Sequence, residues 1–176
     1  MRPEQLVRPR LLGFLEESSD CKVTLISAPA GYGKTTLLTQ WREPEQARSA
    51  FAWVSLDEQD NDPARLWRHV IEALRQVALG EDFAADIIGA LGAVGQRLGE
   101  ITLPRLINEL AGLPHRVILV LDDYHCITEN DCHKSVSFFV NHLPDNVHLI
   151  ISSRSDPQLP LGRPRASGWM TEIRTE

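Results

Sequence analysis

The chain has 176 residues, enough for one domain with a full core, and its 43% hydrophobic and 24% charged residues are those of an ordinary soluble globular protein. A net charge of −6 argues against a non-specific nucleic-acid binder, which needs a basic face to displace counterions. The N-terminus lacks an apolar leader core, the longest strongly apolar run, Val117 to Leu121, is too short to span a bilayer, and three cysteines in no framework spacing fit a reducing compartment, so the reading is cytoplasmic and membrane-free.

Residues 1–22 are polar with one amphipathic turn, Leu11, Leu12 and Leu15, after Arg8-Pro9; they read as an N-terminal arm with a short helix, and residues 23–176 as the domain proper. Val23 to Ser27 is the first strand. It runs into Ala28-Pro29-Ala30-Gly31-Tyr32-Gly33-Lys34-Thr35-Thr36, and a helical pattern of Leu37, Leu38 and Trp41 follows, which Glu43-Pro44 is expected to end. Strand, loop, helix is the order that a phosphate cradle needs. The loop turns its N–H groups inward, and the helix aims free N–H groups and its positive dipole end at an anion. Gly31 and Gly33 can take a positive φ, Lys34 is placed to reach β- and γ-phosphates, and the Thr35 hydroxyl to bind Mg²⁺. The pattern G-x-x-x-x-G-K-[ST] departs at its first glycine, where Ala28 stands; alanine is tolerated there as long as its φ is negative.

Phe51 to Leu56 reads as a second strand, and in the polar loop Asp57 to Pro63 the side chain of Asp62 can cap a helix whose first position is Pro63. Leu66, Trp67, Val70, Ile71, Leu74 and Val77 then share one helical face. Residues 81–114 continue with stripes at Phe83, Ile87 and Leu91 and at Leu103, Leu106, Ile107 and Leu110, interrupted by glycines that blur the boundaries. Arg116 to Asp123 is a continuous apolar run, as in a strand buried on both faces, and it ends in two carboxylates. Asp122 is placed to hold Mg²⁺ opposite Thr35, and Asp123 to orient or deprotonate an attacking water. Thr128 and Asp131 resemble a capping box before a helix marked by Val136, Phe139, Val140 and Leu143 and stopped by Pro144. Val147 to Ile151 is another buried strand. Beyond it, Arg154 sits where a guanidinium can reach a terminal phosphate and register its loss. Met170 to Arg174 reads as a last short strand, and the alternation as a whole as a doubly wound, mostly parallel α/β sheet of the P-loop NTPase type. Trp53 and Trp67 read as core, and His125, Cys126, Cys132 and His133 match no common zinc spacing.

Six segments together carry a resemblance: Leu6-Val7-Arg8-Pro9-Arg10-Leu11-Leu12, Ala28 to Thr36, Trp53-Val54-Ser55-Leu56-Asp57, Asp60-Asn61-Asp62-Pro63, Leu121-Asp122-Asp123-Tyr124-His125 and Ile151 to Pro157. The chain resembles the N-terminal nucleotide-binding domain of MalT-like regulators of the LuxR type, signal-transduction ATPases of the STAND class similar to NB-ARC and AAA proteins. The resemblance implies an ATP/ADP switch whose cradle is Ala28, Gly31, Tyr32, Gly33, Lys34, Thr35 and Thr36, with Arg8 near the adenine. It also implies Asp122 and Asp123 as a Walker B pair, Mg²⁺ on Thr35 and Asp122, and Arg154 as sensor of the γ-phosphate. Members continue into a winged helix, a helical-repeat sensor and a helix-turn-helix, so a chain ending at Glu176 reads as an isolated domain, a truncated gene product or a piece of a longer protein. Its expected partners are nucleotide and the following domains, with self-association open and no direct nucleic-acid contact by this segment. Slow Mg²⁺-dependent hydrolysis is expected in the complete protein. The rival readings are a small-molecule P-loop kinase, for which no arginine-bearing lid stands out, and a non-hydrolysing interaction domain.

Overall fold

Short apolar runs pair into one sheet whose central strands bury both faces. In the computed structural model, which describes residues 9–18, 21–46, 48–79, 82–91 and 98–174, the strands are β1 (Val23–Ser27), β2 (Ala50–Ser55), β3 (Val117–Asp122), β4 (Val147–Ser153) and β5 (Met170–Arg174). Their order is β2-β3-β4-β1-β5, with every pairing parallel. β3 and β4 are buried along their whole length, which is why their sequences run apolar without alternation.

Successive residues still face opposite sides. On one side Ile26, Phe51, Ile118, Val120 and Ile150 meet Leu15 of α1 (Pro9–Glu17) and Leu37, Leu38 and Trp41 of α2 (Lys34–Glu45). On the other, Leu25, Val54, Leu119, Leu121, Leu149 and Ile151 pack under α3 (Pro63–Leu74), α4 (Ala85–Leu91), α5 (Leu103–Ala111) and α6 (Asn130–Asn141). The sheet is therefore doubly wound, as expected. Trp67 lies in the larger core, its indole N–H donating to Ser135 Oγ at 2.9 Å and its ring edge-on to Phe139. Trp53 is half-buried and stacks on Phe51.

A buried polar chain fastens α1 to the sheet. The Arg116 guanidinium can only donate, so His148 Nδ1, 3.1 Å away, accepts, and Nε2 carries the proton toward Thr24 Oγ1 at 3.0 Å. Thr24 then donates to Ser18 Oγ, which donates to the Leu15 carbonyl.

Local expectations fail at two places. α2 runs through Pro44 to Glu45. A proline in the exposed last turn already has a helical φ and forfeits a single backbone bond, and the Gln46 N–H still closes the turn onto the Arg42 carbonyl. At α6 the cap is Glu129, and Thr128 and Asp131 form no capping box. The amide of Asn61 takes over that task from another loop. A short helix, α7 (Gly162–Ala166), which no sequence pattern marked, precedes β5.

Candidate functional site

Parallel strands place their carboxyl ends at one pole, and the marked residues collect there. β1 hands over to the loop at Ala28, whose N–H donates to the Ser153 carbonyl at the end of β4. Ala28 is buried and is not among the residues with positive φ, so its Cβ is accommodated without strain. Gly31 and Gly33 have φ of 82° and 76°. A Cβ on either would meet nothing within 4 Å, so it is backbone conformation and not space that requires glycine. Gly33 caps α2 in the left-handed region with no side-chain cap, which leaves the first-turn N–H groups of α2 without a side-chain acceptor among the described residues. Lys34 Nζ donates to the carbonyls of Ala28 at 2.6 Å and Pro29 at 3.1 Å, so the ammonium lies over the loop. Tyr32 is exposed on it, and Thr36 follows in the first turn of α2. Arg8 lies outside the described residues.

The decisive contact crosses the sheet: Thr35 Oγ1 donates to Asp122 Oδ2 at 3.0 Å. Asp122 is 2% exposed, and its other oxygen accepts the Asp123 N–H at 3.0 Å, so the buried carboxylate has two donors. Thr35 and Asp122 are hard oxygen donors side by side, a set that fits Mg²⁺, which uses one or two protein oxygens and completes its shell with water and phosphate. Among the described residues no group of three or more His, Cys, Asp or Glu converges on a common point. His125 Nε2 and Cys126 Sγ pair with each other at 3.9 Å, whereas Cys132 Sγ donates to the Asp60 carbonyl and His133 Nδ1 pairs with the Tyr124 hydroxyl.

Asp123 takes the left-handed φ of 56° and turns the chain into a single helical turn, Tyr124–Cys126. Aspartate adopts this region more readily than most residues. Its Oδ1 lies 3.9 Å from Arg154 Nε and 3.7 Å from His125 Nδ1, so β3 and β4 bring base and cation candidates together at contact distance. The pair with the exposed Arg154 is weak by itself. Burial, and then the Arg154 guanidinium, hold His125 below the ordinary imidazole range, so it stands neutral beside Asp123 at neutral pH.

Two features of this pole were not singled out by local pattern. Asn61 spans three segments. Its Nδ2 donates to the carbonyls of Cys126 at 2.8 Å and Glu58 at 3.1 Å, while its Oδ1 accepts the N–H groups of Thr128 at 2.7 Å and Glu129 at 3.0 Å. The turn that carries Asp123 is thereby locked to the β2–α3 loop. Arg174, at the end of β5, grips both oxygens of Asp156 at 2.7 Å and also Glu172, which Arg165 contacts from α7. Hydrogen bonds from Arg174 hold the Asp156 carboxyl below its usual range. Beside this cluster Arg10, Leu11, Phe14 and Ile173 line a cavity of about 500 Å³ between α1 and β5. The sequence cue to Asn61 was the Asp60-Asn61-Asp62-Pro63 run, but nothing local says what Asn61 reaches.

A family model described as "AAA domain" matches residues 16–156. The chain is 36% identical over 170 residues to the HTH-type transcriptional regulator MalT of Cronobacter sakazakii and 34% identical over 172 residues to that of Vibrio campbellii. These matches take in 96% and 97% of this chain but 18% of each regulator. Among solved structures it superposes on Cdc6p from Pyrobaculum aerophilum with a TM-score of 0.60 and 16% identity, over 98% of this chain and 46% of that one, a likeness of fold.

Proposed function

Given that the chain belongs to the AAA domain family, we propose that it is the ATP/ADP-binding switch domain of a MalT-like regulator of the LuxR type, in the STAND class with NB-ARC proteins. The observation that carries this reading is the Thr35–Asp122 hydrogen bond, which joins the Gly-Lys-Thr loop to the carboxylate pair of β3. In this reading Lys34, Thr35 and Thr36, with the first-turn N–H groups of α2 and the loop from Ala28 to Gly33, hold the phosphates. Thr35 and Asp122, the Walker B aspartate, would hold Mg²⁺, which when bound neutralises phosphate charge. Asp123 orients and deprotonates the water, and Arg154 reads the terminal phosphate. The cavity between α1 and β5 supports a nucleoside position there, where Arg10, Leu11 and Phe14 follow the Arg8-Pro9 arm.

The chain spans about a fifth of the length of the regulators it matches, so transcriptional output is proposed for a longer protein, acting in the cytoplasm through the following domains. Among the described residues no helix is long and apolar enough to cross a membrane. Titration with fluorescent ATP and ADP, with and without Mg²⁺, tests the reading. Lys34→Ala should weaken binding more than about tenfold, since a charge-assisted phosphate contact is worth about 1.5–3 kcal/mol. Equal affinity in the two folded proteins would remove the assignment.

A further inference from the structure

At the amino end of the sheet, the pole opposite the Gly31–Thr36 loop, a cavity of about 530 Å³ lies between the carboxyl end of α2, the start of β2 and the turn into β3. Phe51, Ala50 and Val77 form its apolar wall, Arg42 and Arg48 bring the charge with His115 beside them, and among the described residues no carboxylate lines it, in a chain whose net charge is −6. Among the described residues neither Arg42 nor Arg48 makes an ion pair. The Arg42 guanidinium lies over the Phe51 ring, 5.7 Å from its centroid. Its Nε is buried without a hydrogen-bond partner, and so is Nε2 of His115. A guanidinium nitrogen can only donate and does not deprotonate, so the buried Nε requires an acceptor that the described residues do not supply. A cation in the last turn of α2 also complements the helix dipole, but that accounts neither for the orphaned Nε nor for the unpaired Arg48 beside it.

We infer that this cavity is a second ligand site, taking a small organic anion: one carboxylate or phosphate held by Arg42, Arg48 and His115, on an apolar body that lies against Phe51 and Val77. Its volume is that of a small-molecule pocket. It is independent of the nucleotide reading and joined to the phosphate loop by the length of α2, 12 residues or about 18 Å.

The test uses the ¹⁵N-labelled chain carrying Lys34→Ala, which removes phosphate capture by the loop, titrated with phenyl phosphate, 3-phenylpropionate and inorganic phosphate. We expect saturable amide shifts at residues 48–51 and 115–116. The tighter of the two aromatic probes, which assigns the phosphate or the carboxylate, should bind at least about fivefold better than inorganic phosphate through burial of its ring. Arg42→Met should weaken it about tenfold, as should Arg48→Met, an exposed position that serves should loss of the Phe51 stack unfold the first variant. Shifts confined to residues 28–36, no saturable shift with any probe, equal binding of inorganic phosphate, or undiminished affinity in the folded arginine variants would each overturn the inference.

Discussion

Asp122 and Asp123 are adjacent aspartates in opposite situations. Asp122 is buried and fully engaged by the Thr35 hydroxyl and the Asp123 N–H, whereas Asp123 is partly exposed, in the left-handed region, and faces Arg154 and His125 across gaps too long for hydrogen bonds. Under the proposed function their roles therefore separate. Asp123→Asn removes the base while disturbing no short contact, so nucleotide affinity should persist and phosphate release by the complete protein should fall by about 10²-fold or more. In Asp122→Asn the Thr35 hydroxyl can turn and accept from the new amide, so the fold should hold while the Mg²⁺ dependence of binding weakens. Phosphate release and Mg²⁺ titration measure the two effects; wild-type behaviour of both variants would end the reading of this pair.

At the scale of elements, the loop joining β2 to α3 is organised by its own side chains. Asp57 and Asp60 cap each other's backbone reciprocally, Asp62 caps α3 through the Arg65 N–H, and Asn61 between them reaches across to the start of α6. Because the Cys126 N–H bonds the Asp123 carbonyl and Asn61 bonds the Cys126 carbonyl, the conformation of Asp123 depends on a residue more than 60 positions earlier. Asn61→Ala should leave the N–H groups of Thr128 and Glu129 and the carbonyls of Cys126 and Glu58 without these partners and cost about 1–3 kcal/mol in urea unfolding. Turnover of the complete protein should drop while nucleotide affinity, set by the loop after β1, stays near wild type. An unchanged unfolding midpoint would show that water replaces the clamp at no cost. Sequence pattern pointed instead to a capping box at Thr128 and Asp131, since capping rules look a few residues ahead and cannot see a cap supplied in trans.

For the molecule as a whole, acid sensitivity should come in two steps. His133 is 5% exposed, and burial lowers its proton affinity; burial and Arg154 do the same to His125. Both imidazoles bind a proton less readily folded than unfolded. The unfolded chain therefore takes up more protons once the pH falls below about 6.5, and stability that is complete above that value declines below it. The exposed Asp145 and Asp156, held low by hydrogen bonds from Lys22 and Arg174, contribute only at lower pH, as it falls below about 4. The urea midpoint should thus drop between about pH 7.5 and about pH 5.5, and His133→Gln should flatten that drop. A level midpoint in the wild type over this range would contradict the buried, neutral histidine.

The sequence by itself determined the strands, the long helices and their burial, though not α7 or the end of α2. Continuous apolar runs marked β3 and β4 as covered on both faces, and Asp62-Pro63 marked the start of α3, because side-chain burial and capping are local properties written at fixed spacing. The glycine pair and Ala28 were legible in the same way, as backbone requirements of a strand-loop-helix junction. Strand order was not legible. Backbone hydrogen bonds are alike whatever side chains flank them, so a buried parallel strand carries little about which strand lies beside it. Asp122 opposite Thr35 was legible from the two motifs, and the structure adds the hydrogen bond between them across 87 residues of chain. Only the packed structure lodged β1 between β4 and β5, sent Asn61 to cap a distant helix and gathered Arg42, Arg48 and His115 at the opposite pole. Each of these depends on crossovers whose paths are fixed by burying two opposite faces of one sheet at once.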